Sequence, residues 1–349
     1  MKKVLVISEA IFLNLYRPGL EDYSDSHDDM EIDFYCLDVP KKELNPLERV
    51  AYKRDIGNFR KKYYERQREE VVKLVEQYDT ILFLSLFYDQ EYFVQGKLAE
   101  LVKQKNSIVY FMDSIKTVPC KIPFLNIFKK VYVFEEQDVD FVQKEYGITA
   151  ELVPIGTSYY LFEDNIKGQS EKKYDLCFVG LATPKRIEYL DEIARWCFEN
   201  NKTFFVAGHF WHTNNKINYW IGKMKFKIKH PILAKYVQNK FIQPYDLAAV
   251  YTKSRIVLNI NVAYHKSLNQ RTFDILFCNS LLICDKQNVG SIEITPGQDF
   301  IMCDGIEEMV DKISYYLEHD EERERISARG RALVAGKYLY AQTLKKIFS

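Results

Sequence analysis

Hydrophobic positions along the chain alternate between two kinds of segment. Short apolar runs such as Val4–Ser8 and Ile81–Leu86 have the length and the residue types of buried strands. Longer segments such as Glu136–Tyr146 and Pro184–Glu199 repeat apolar residues at helical spacing. Because strands that alternate with helices form parallel βαβ units, the pattern predicts an α/β fold.

The alternation is interrupted once, over Ile155–Lys173, which has no clear period and carries glycines and charges. We interpret this segment as a linker, because 349 residues suffice for two domains of ordinary size. The predicted parts are two α/β domains and a terminal helix: 1–160, 161–335 and 336–349. Such sheets bind ligands at the carboxyl ends of their strands, so the cleft between the domains is the expected site.

Composition and charge exclude several classes of protein. A hydrophobic content of 47% and a charged content of 28% are typical of a globular protein in water. The 49 basic residues balance 49 acidic ones, so no overall field points to nucleic acid as a partner. The seven cysteines include no C-x-x-C pair, which favours a reducing cytoplasm over a disulfide framework or a zinc site. No apolar run approaches the ~18–20 residues of a spanning helix, and the first run is a strand rather than a signal peptide.

One later segment places two charges in an apolar setting. Ser267 and Gln270 have the spacing of a capping box, which predicts a helix that begins near Ser267. Asn279 stands where a left-handed C-terminal cap would fall. Arg271 and Asp274 share one face of this helix, whose other positions are almost all apolar. Buried charges need a partner or a function, so either the two side chains pair with each other or they bind a polar ligand.

The turn after the strand Asp175–Val179 is a candidate anion site. Gly180 and a helix start at Pro184 would leave free backbone N–H groups there, and Lys185 and Arg186 add positive charge. An ordinary βα turn explains a single Gly equally well. The chain contains neither G-x-G-x-x-G nor G-x-x-x-x-G-K-[ST], so no dinucleotide fingerprint or P-loop is predicted.

The helix start at Ser267 is the second anion candidate. Its open N–H groups, with Asn269 and Arg271 nearby, could hold a diphosphate. Asp274 lies one turn deeper, and a carboxylate is the natural acceptor for the hydroxyl groups of a ribose. Together these residues predict a nucleotide on this helix.

Several motifs of this half of the chain match one known family. They are a strand that ends in Leu-Asn, a helix start of the family form Asn-x-Arg-x-Phe-Glu in which Asp274 replaces the Glu, and a late Glu-Glu-Arg-x-x-Ile-x-x-x-Gly-Arg segment: Leu258–Asn259, Asn269–Asp274 and Glu321–Arg331. With these motifs the chain resembles the GT-B glycosyltransferases, most closely the spore-maturation (CgeB-like) branch related to glycosyltransferase family 4. The resemblance covers roughly Asp175–Ser349, and the N-terminal half is similar only in pattern.

The resemblance implies a GT-B fold, with two doubly wound Rossmann-like domains facing a cleft and C-terminal helices. In that fold, residues 1–160 would form an N-terminal Rossmann-like acceptor domain and residues 161–335 a C-terminal Rossmann-like nucleotide-sugar domain, and the helix 336–349 would pack back on the first domain. It implies transfer of a sugar from a UDP- or GDP-linked donor to an acceptor hydroxyl, in a hexosyltransferase-like reaction that needs no metal or other cofactor. The expected context is bacterial surface polysaccharide or glycoconjugate biosynthesis. The alternatives are a nucleotide-sugar epimerase of the same fold and a non-catalytic nucleotide- or sugar-binding scaffold.

The resemblance also assigns roles to individual residues. The expected donor-binding residues are Gly180, Lys185, Arg186, His209, Asn259, His265, Asn269, Arg271 and Asp274. Lys266 stands where the family has a carboxylate that faces the sugar. The paired-carboxylate motif is therefore incomplete, and no stereochemistry is implied. Because Lys266 is a cation, it is a catalytic candidate for stabilising the departing diphosphate. Asp113, which follows the strand Ile108–Met112, could orient or deprotonate the acceptor hydroxyl, or act as a helix cap. For His209 and His265, a structural role is the alternative.

The stretch Trp220–Lys229 is basic, aromatic and apolar at once. Its lysines alternate with apolar residues, which fits either a strand or one face of a helix. Lysine and tryptophan suit the surface of an anionic leaflet, so we expect peripheral docking to the inner face of the plasma membrane, where a lipid-linked acceptor lies. The basic segment Arg49–Lys73 could share this role. The alternative is a basic rim on an ordinary folded helix.

The expected partners are thus a nucleotide-sugar, a glycan or lipid-linked acceptor and an anionic membrane surface, with no nucleic acid.

Overall fold

The computed structural model describes residues 1–37, 44–54, 56–84, 93–117, 125–167, 171–208, 211 and 219–349. Contacts within the chain divide it into two compact units. The N-terminal unit comprises Met1–Ile155 and Thr343–Ser349, and the C-terminal unit comprises Gly156–Gln342. Among the described residues, no helix combines the length and the apolar character needed to cross a bilayer.

The N-terminal unit is built on one parallel sheet. Its strands are β1 (Lys2–Ser8), β2 (Met30–Cys36), β3 (Thr80–Leu84), β4 (Asn106–Phe111), β5 (Lys130–Val133) and β6 (Glu151–Leu152). Its described helices are α1 (Ala10–Asp25), α2 (Pro46–Arg54), α3 (Ile56–Val75), α4 (Gly96–Gln104) and α5 (Glu136–Tyr146). The strand order is β2-β1-β3-β4-β5-β6, and every neighbouring pair is parallel.

The C-terminal unit contains a second parallel sheet. Its strands are β7 (Tyr174–Val179), β8 (Phe204–Ala207), β9 (Val237–Gln238), β10 (Ser254–Asn259), β11 (Leu281–Asp285) and β12 (Ile301–Cys303). Its described helices are α6 (Glu163–Lys167), α7 (Pro184–Glu199), α8 (Tyr219–Lys229), α9 (Leu233–Tyr236), α10 (Pro244–Thr252), α11 (Gln270–Phe277), α12 (Ile306–Glu318) and α13 (Asp320–Lys337). The strand order is β12-β11-β10-β7-β8-β9, again with parallel pairs.

Both faces of this second sheet are covered by helices. Successive strand residues point to opposite faces, so Phe178 and Leu258 lie in one buried cluster and Cys177 and Val257 in the other. Parallel strands buried on both faces read as continuous apolar runs, which is why the sequence pattern identifies them. The α/β prediction is confirmed.

The last helix, α14 (Tyr340–Phe348), ends in the N-terminal unit. From Thr343 onward its residues pack there: Leu344 and Ile347 are fully buried. The Thr343 hydroxyl donates a hydrogen bond to the carbonyl oxygen of Pro154 at 2.8 Å. The end of the chain is thereby fixed to the end of the first sheet.

The order of the strands marks one point of the C-terminal sheet as a ligand site. The chain runs from β7 outward through β8 to β9, and then returns to β10 on the other side of β7. In open α/β sheets the crevice for ligands lies at the carboxyl ends of the strands where the order reverses in this way. Gly180 follows β7 and Asn259 ends β10. Two of the predicted donor-binding residues therefore meet at this switch point.

Candidate functional site

The helix that carries Arg271 and Asp274 begins later than the sequence predicts. α11 begins at Gln270, with Asn269 at the N-cap position. Ser267 lies before the helix and pairs with Asn288 in an isolated β-bridge, so the predicted helix start near Ser267 is wrong. At the other end of the helix, Asn279 has a φ of 54°, which confirms the predicted left-handed cap.

A chain of asparagine side chains explains where α11 starts. The Asn259 Nδ2 donates to Oδ1 of Asn269 at 3.1 Å, and the Asn269 Nδ2 donates to Oδ1 of Asn261 at 2.5 Å. Asn261 Nδ2 in turn donates to the carbonyl oxygen of Ser267 at 3.0 Å. Asn259 and Asn261 are buried, and buried amides with satisfied hydrogen bonds fix their neighbours firmly. The loop before α11 is thus held against the end of β10.

Two arginine side chains converge on Gly180. A Cβ atom added to Gly180 would lie 3.3 Å from Nη2 of Arg271 and 3.4 Å from Nη1 of Arg186. Both guanidinium groups also lie over the ring of Phe178, with centroid distances of 6.0 Å and 5.7 Å respectively. Because Gly180 has no side chain, the space between its Cα atom and the two guanidinium groups stays open.

The hydrogen bonds of the two arginines go to neutral acceptors. Arg271 donates from Nη1 to Oδ1 of Asn259 at 2.9 Å. Arg186 donates from Nε to the carbonyl oxygen of Ile260 at 2.8 Å and from Nη1 to that of Leu181 at 3.0 Å. Within the described ranges, no carboxylate reaches ion-pair distance of either group. Each guanidinium has five N–H donors, so both keep donors for a ligand.

The two arginine charges repel each other, and the carboxylates of the described residues act on them only from beyond ion-pair distance: Asp285 on Arg186, and Asp274 on Arg271. Burial, and then the positive charge of Arg271, lowers the pKa of Arg186 to about 9. Arg186 still carries its proton at neutral pH, so two like charges border one small space. An anion placed between them would relieve this repulsion and would use the free donors.

Lys185 is not part of this arginine pair. Its ammonium group lies 2.5 Å from Oδ2 of Asp285, a carboxylate that is buried at the end of β11. The other oxygen of Asp285 accepts the backbone N–H of Asn261 at 3.0 Å and the Nε2 of Gln287 at 2.9 Å. The charge of Lys185 is therefore already balanced by the protein.

Asp274 is held by a threonine rather than by its neighbouring arginine. The Thr157 hydroxyl donates to Oδ1 of Asp274 at 2.6 Å, whereas Arg271 bonds Asn259. The structure thus does not contain the internal Arg–Asp pair that was one interpretation of the sequence. Asp274 is 7% exposed, and burial raises its pKa to about 7 against the opposing effects of Thr157 and Arg271.

The remaining predicted residues are His265, Lys266, Asp113 and His209. His265 is half-buried and its ring contacts that of Tyr264, and the neighbouring Lys266 is exposed. Asp113 lies in the N-terminal unit after β4, where its Oδ1 accepts the backbone N–H of Ser114 at 3.0 Å. His209 lies outside the described residues.

Three residues of this site have no role predicted from the sequence: Asn261, Thr157 and Asp285. Asn261 and Asp285 follow or end apolar strands, so their place at a carboxyl end is a signal that could have found them. Thr157 lies far from Asp274 along the chain, and no local pattern links the two. In the described part of the chain, no group of three or more His, Cys, Asp or Glu side chains is arranged to hold a metal ion.

Part of the chain is similar in sequence to known proteins. Residues 186–349 match the model of a family described as glycosyl transferase-like. The spore protein CgeB of Bacillus subtilis (strain 168) is 26% identical in an alignment of 210 residues that covers 55% of this chain. The match spans 59% of the length of that relative. The predicted resemblance to the CgeB-like glycosyltransferases is confirmed.

Solved structures share the fold over the whole chain. The crystal structure of Anabaena Alr3699/HepE in complex with UDP has a TM-score of 0.65 at 12% identity, covering 100% of this chain and 98% of that one. Sucrose-phosphate synthase (tll1590) from Thermosynechococcus elongatus has a TM-score of 0.66 at 10% identity, with the same coverage of both chains. At such low identity the likeness concerns the fold, and it confirms the predicted GT-B class.

Proposed function

We propose that the chain is a glycosyltransferase that binds a nucleotide-sugar in its C-terminal unit and moves the sugar to an acceptor hydroxyl. The observation that carries the proposal is the pair of guanidinium groups of Arg186 and Arg271 beside Gly180, without a carboxylate partner among the described residues. Arginine is preferred wherever planar, bidentate recognition of phosphate matters. The pair lies at the switch point of the sheet, where nucleotides bind in doubly wound folds.

In this proposal the arginines hold the diphosphate and stabilise it as it departs. Charge develops on the leaving diphosphate while the sugar becomes oxocarbenium-like, so fixed positive groups lower the barrier. The start of α7, where Thr183 accepts the N–H of Arg186 at 3.4 Å, adds backbone dipoles at the same place. We propose that these groups supply the positive charge that a metal ion supplies in other transferases.

Asp274 is the proposed acceptor for the ribose hydroxyls. It lies one turn into α11 from Arg271, on the helix whose start is fixed by the asparagine chain. Its carboxyl group already accepts one hydrogen bond, from Thr157, and retains further acceptor capacity. Similarity to Alr3699/HepE, which was crystallised with UDP and with UDP-glucose, supports a UDP-linked hexose as the donor.

The remaining roles follow from the same proposal. Asp113 orients or deprotonates the acceptor hydroxyl, Lys266 stabilises the departing diphosphate, and His265 contacts the donor. We propose a glycan or lipid-linked acceptor at the cytoplasmic face of the plasma membrane, in the assembly of a surface polysaccharide or glycoconjugate. The exposed basic helix α8 supports this location.

A screen of nucleotides and donors tests the proposal. Thermal shift measurements with UDP, GDP and CMP, followed by hydrolysis assays with UDP-glucose and GDP-mannose, should give stabilisation by one nucleotide and slow hydrolysis of its sugar derivative. Excess EDTA should leave both signals unchanged if no metal is needed. Stabilisation without hydrolysis or transfer to any acceptor would favour a binding scaffold, and conversion of the bound sugar to its epimer would favour an epimerase. No response to any nucleotide would refute the proposal.

A further inference from the structure

Helix α8 exposes large apolar side chains to solvent. Trp220 is 68% exposed, Ile221 and Met224 are each 55% exposed, and Ile228 is 76% exposed. No residue of the helix is buried. Scattered exposed apolar residues need no explanation, but four on one short helix form a contiguous patch, and such patches mark interaction sites.

The four side chains lie on one side of the helix. With 3.6 residues per turn, Trp220, Met224 and Ile228 fall on one stripe, and Ile221 lies beside it. Phe226 falls on the opposite side, where its ring contacts those of Trp211 and His230 at centroid distances of 6.4 Å and 5.2 Å. The helix is thus anchored through Phe226, and its apolar stripe points away from the core of its own unit.

Lysines border the apolar stripe on both edges. At the same helical spacing, Lys225 and Lys229 fall along one edge, and Lys223 and Lys227 along the other. All four are exposed, and no ion pair joins them to a carboxylate in the part of the chain that the structure describes. The sequence has no acidic residue from 211 to 240, so nothing nearby along the chain offsets this charge.

We propose that α8 is an interfacial helix that docks the protein on an anionic lipid bilayer. The apolar stripe of Trp220, Met224 and Ile228 enters the boundary between headgroups and acyl chains, and the lysines on its two edges reach the lipid phosphates. Long lysine stems allow the charged ends to rise to the headgroups while the helix lies flat.

The composition of the patch favours lipid over other polyanions. A nucleic acid would meet a basic surface with aromatic or hydrogen-bonding groups between the charges, whereas the centre of this patch is largely aliphatic. Tryptophan is enriched at membrane interfaces, and here it lies at one end of the apolar stripe. The inference does not depend on the proposed donor site, because it uses none of that site's residues.

Sedimentation with lipid vesicles tests the inference on the full chain. Vesicles of phosphatidylcholine with about one third phosphatidylglycerol should bind the protein at low salt, and vesicles of phosphatidylcholine alone should bind it weakly. The variant with Lys225→Glu and Lys229→Glu should lose more than about 10-fold in affinity, since each lysine near an anionic surface contributes to binding. A matched control reverses two exposed lysines elsewhere, Lys144→Glu with Lys345→Glu, and should bind as the wild type does.

Two further variants separate lipid insertion from simple charge attraction. Replacing Met224 and Ile228 by Ser should weaken vesicle binding while leaving the charge unchanged. A blue shift of tryptophan fluorescence on vesicle binding should disappear in Trp220→Phe. The thermal shift with nucleotides should be unchanged in every α8 variant. A failure of the membrane-docking inference can thereby be distinguished from a failure of the proposed function.

Three results would overturn the inference. The first is no binding of the protein to anionic vesicles at low salt. The second is a vesicle affinity of the Lys225→Glu, Lys229→Glu variant that equals that of the wild type. The third is a vesicle affinity that the Met224 and Ile228 substitutions leave unchanged. Binding to duplex DNA that depends on the lysines but not on Trp220 would assign the surface to nucleic acid instead.

Discussion

Replacing Asp274 by Asn should change how the stability of the C-terminal unit depends on pH. Asp274 is 7% exposed, and burial raises its pKa from 3.8 to about 7. An asparagine keeps an oxygen that can accept the hydrogen bond from Thr157, but it cannot ionise. The substitution therefore removes the ionisation of the Asp274 carboxyl group and keeps its hydrogen bond with Thr157.

The sign and the size of the effect follow from linkage. Because the pKa of Asp274 is higher in the folded protein than in the unfolded chain, the protonated group favours folding, and this contribution is complete below pH 4. It is lost as the pH rises through about 7. Between pH 5 and pH 8 the wild type should lose roughly 3 kcal/mol of unfolding free energy that the Asp274→Asn variant retains.

Differential scanning calorimetry at pH 5, 6, 7 and 8 measures this difference. The difference in unfolding free energy between Asp274→Asn and the wild type should widen from pH 5 to about pH 7, in favour of the variant, and then level off. The matched control is Asp138→Asn in the N-terminal unit, where burial raises the pKa of a fully buried carboxyl group to about 6. The difference in unfolding free energy between Asp138→Asn and the wild type should stop growing at a lower pH than that for Asp274→Asn. A constant gap for Asp274→Asn across this range would refute the reasoning, because it would mean that Asp274 titrates normally in the folded protein.

Two more substitutions test the geometry around the arginine pair. Gly180→Ala places a methyl group 3.1 Å from the ring of Phe178 and 3.3 Å from Nη2 of Arg271, so UDP affinity measured by calorimetric titration should fall about 10-fold, an effect of roughly 1.4 kcal/mol. Gly336→Ala, whose added methyl group meets nothing within 4 Å, should leave that affinity unchanged. Lys185→Met removes the cation from buried Asp285 and should lower the unfolding free energy by about 1–3 kcal/mol in urea titrations. Equal UDP affinity in both glycine variants, or a Lys185→Met protein as stable as the wild type, would contradict the described contacts.

Much of the sheet could be predicted from the sequence, because buried parallel strands leave a strong apolar signal. The helix α1 could not, since Pro18 lies inside it and the following Gly19 weakens the helical pattern further. Tertiary packing tolerates both residues in the folded protein. The strand β9 is only two residues long, Val237–Gln238, and gives no detectable period.

The candidate site could be predicted in outline but not in its connections. Motif spacing identifies Arg271 and Asp274, yet local pattern alone leaves open whether they pair with each other. The answer depends on two separate hydrogen bonds: Arg271 bonds Asn259, 12 positions before it, and Asp274 bonds Thr157, 117 positions before it. The convergence of Arg186 with Arg271 likewise requires the sheet order, which brings β7 beside β10.

Isothermal titration of UDP into the wild type and into three arginine variants tests the central claim most directly. Arg271→Ala and Arg186→Lys should each weaken UDP binding by about 10- to 100-fold, since a hydrogen bond to a charged group contributes roughly 1.5–3 kcal/mol. Arg195→Ala, an exposed arginine on the same helix as Arg186, should bind UDP as the wild type does. Equal affinity in all four proteins would contradict the claim that the arginine pair beside Gly180 holds the diphosphate.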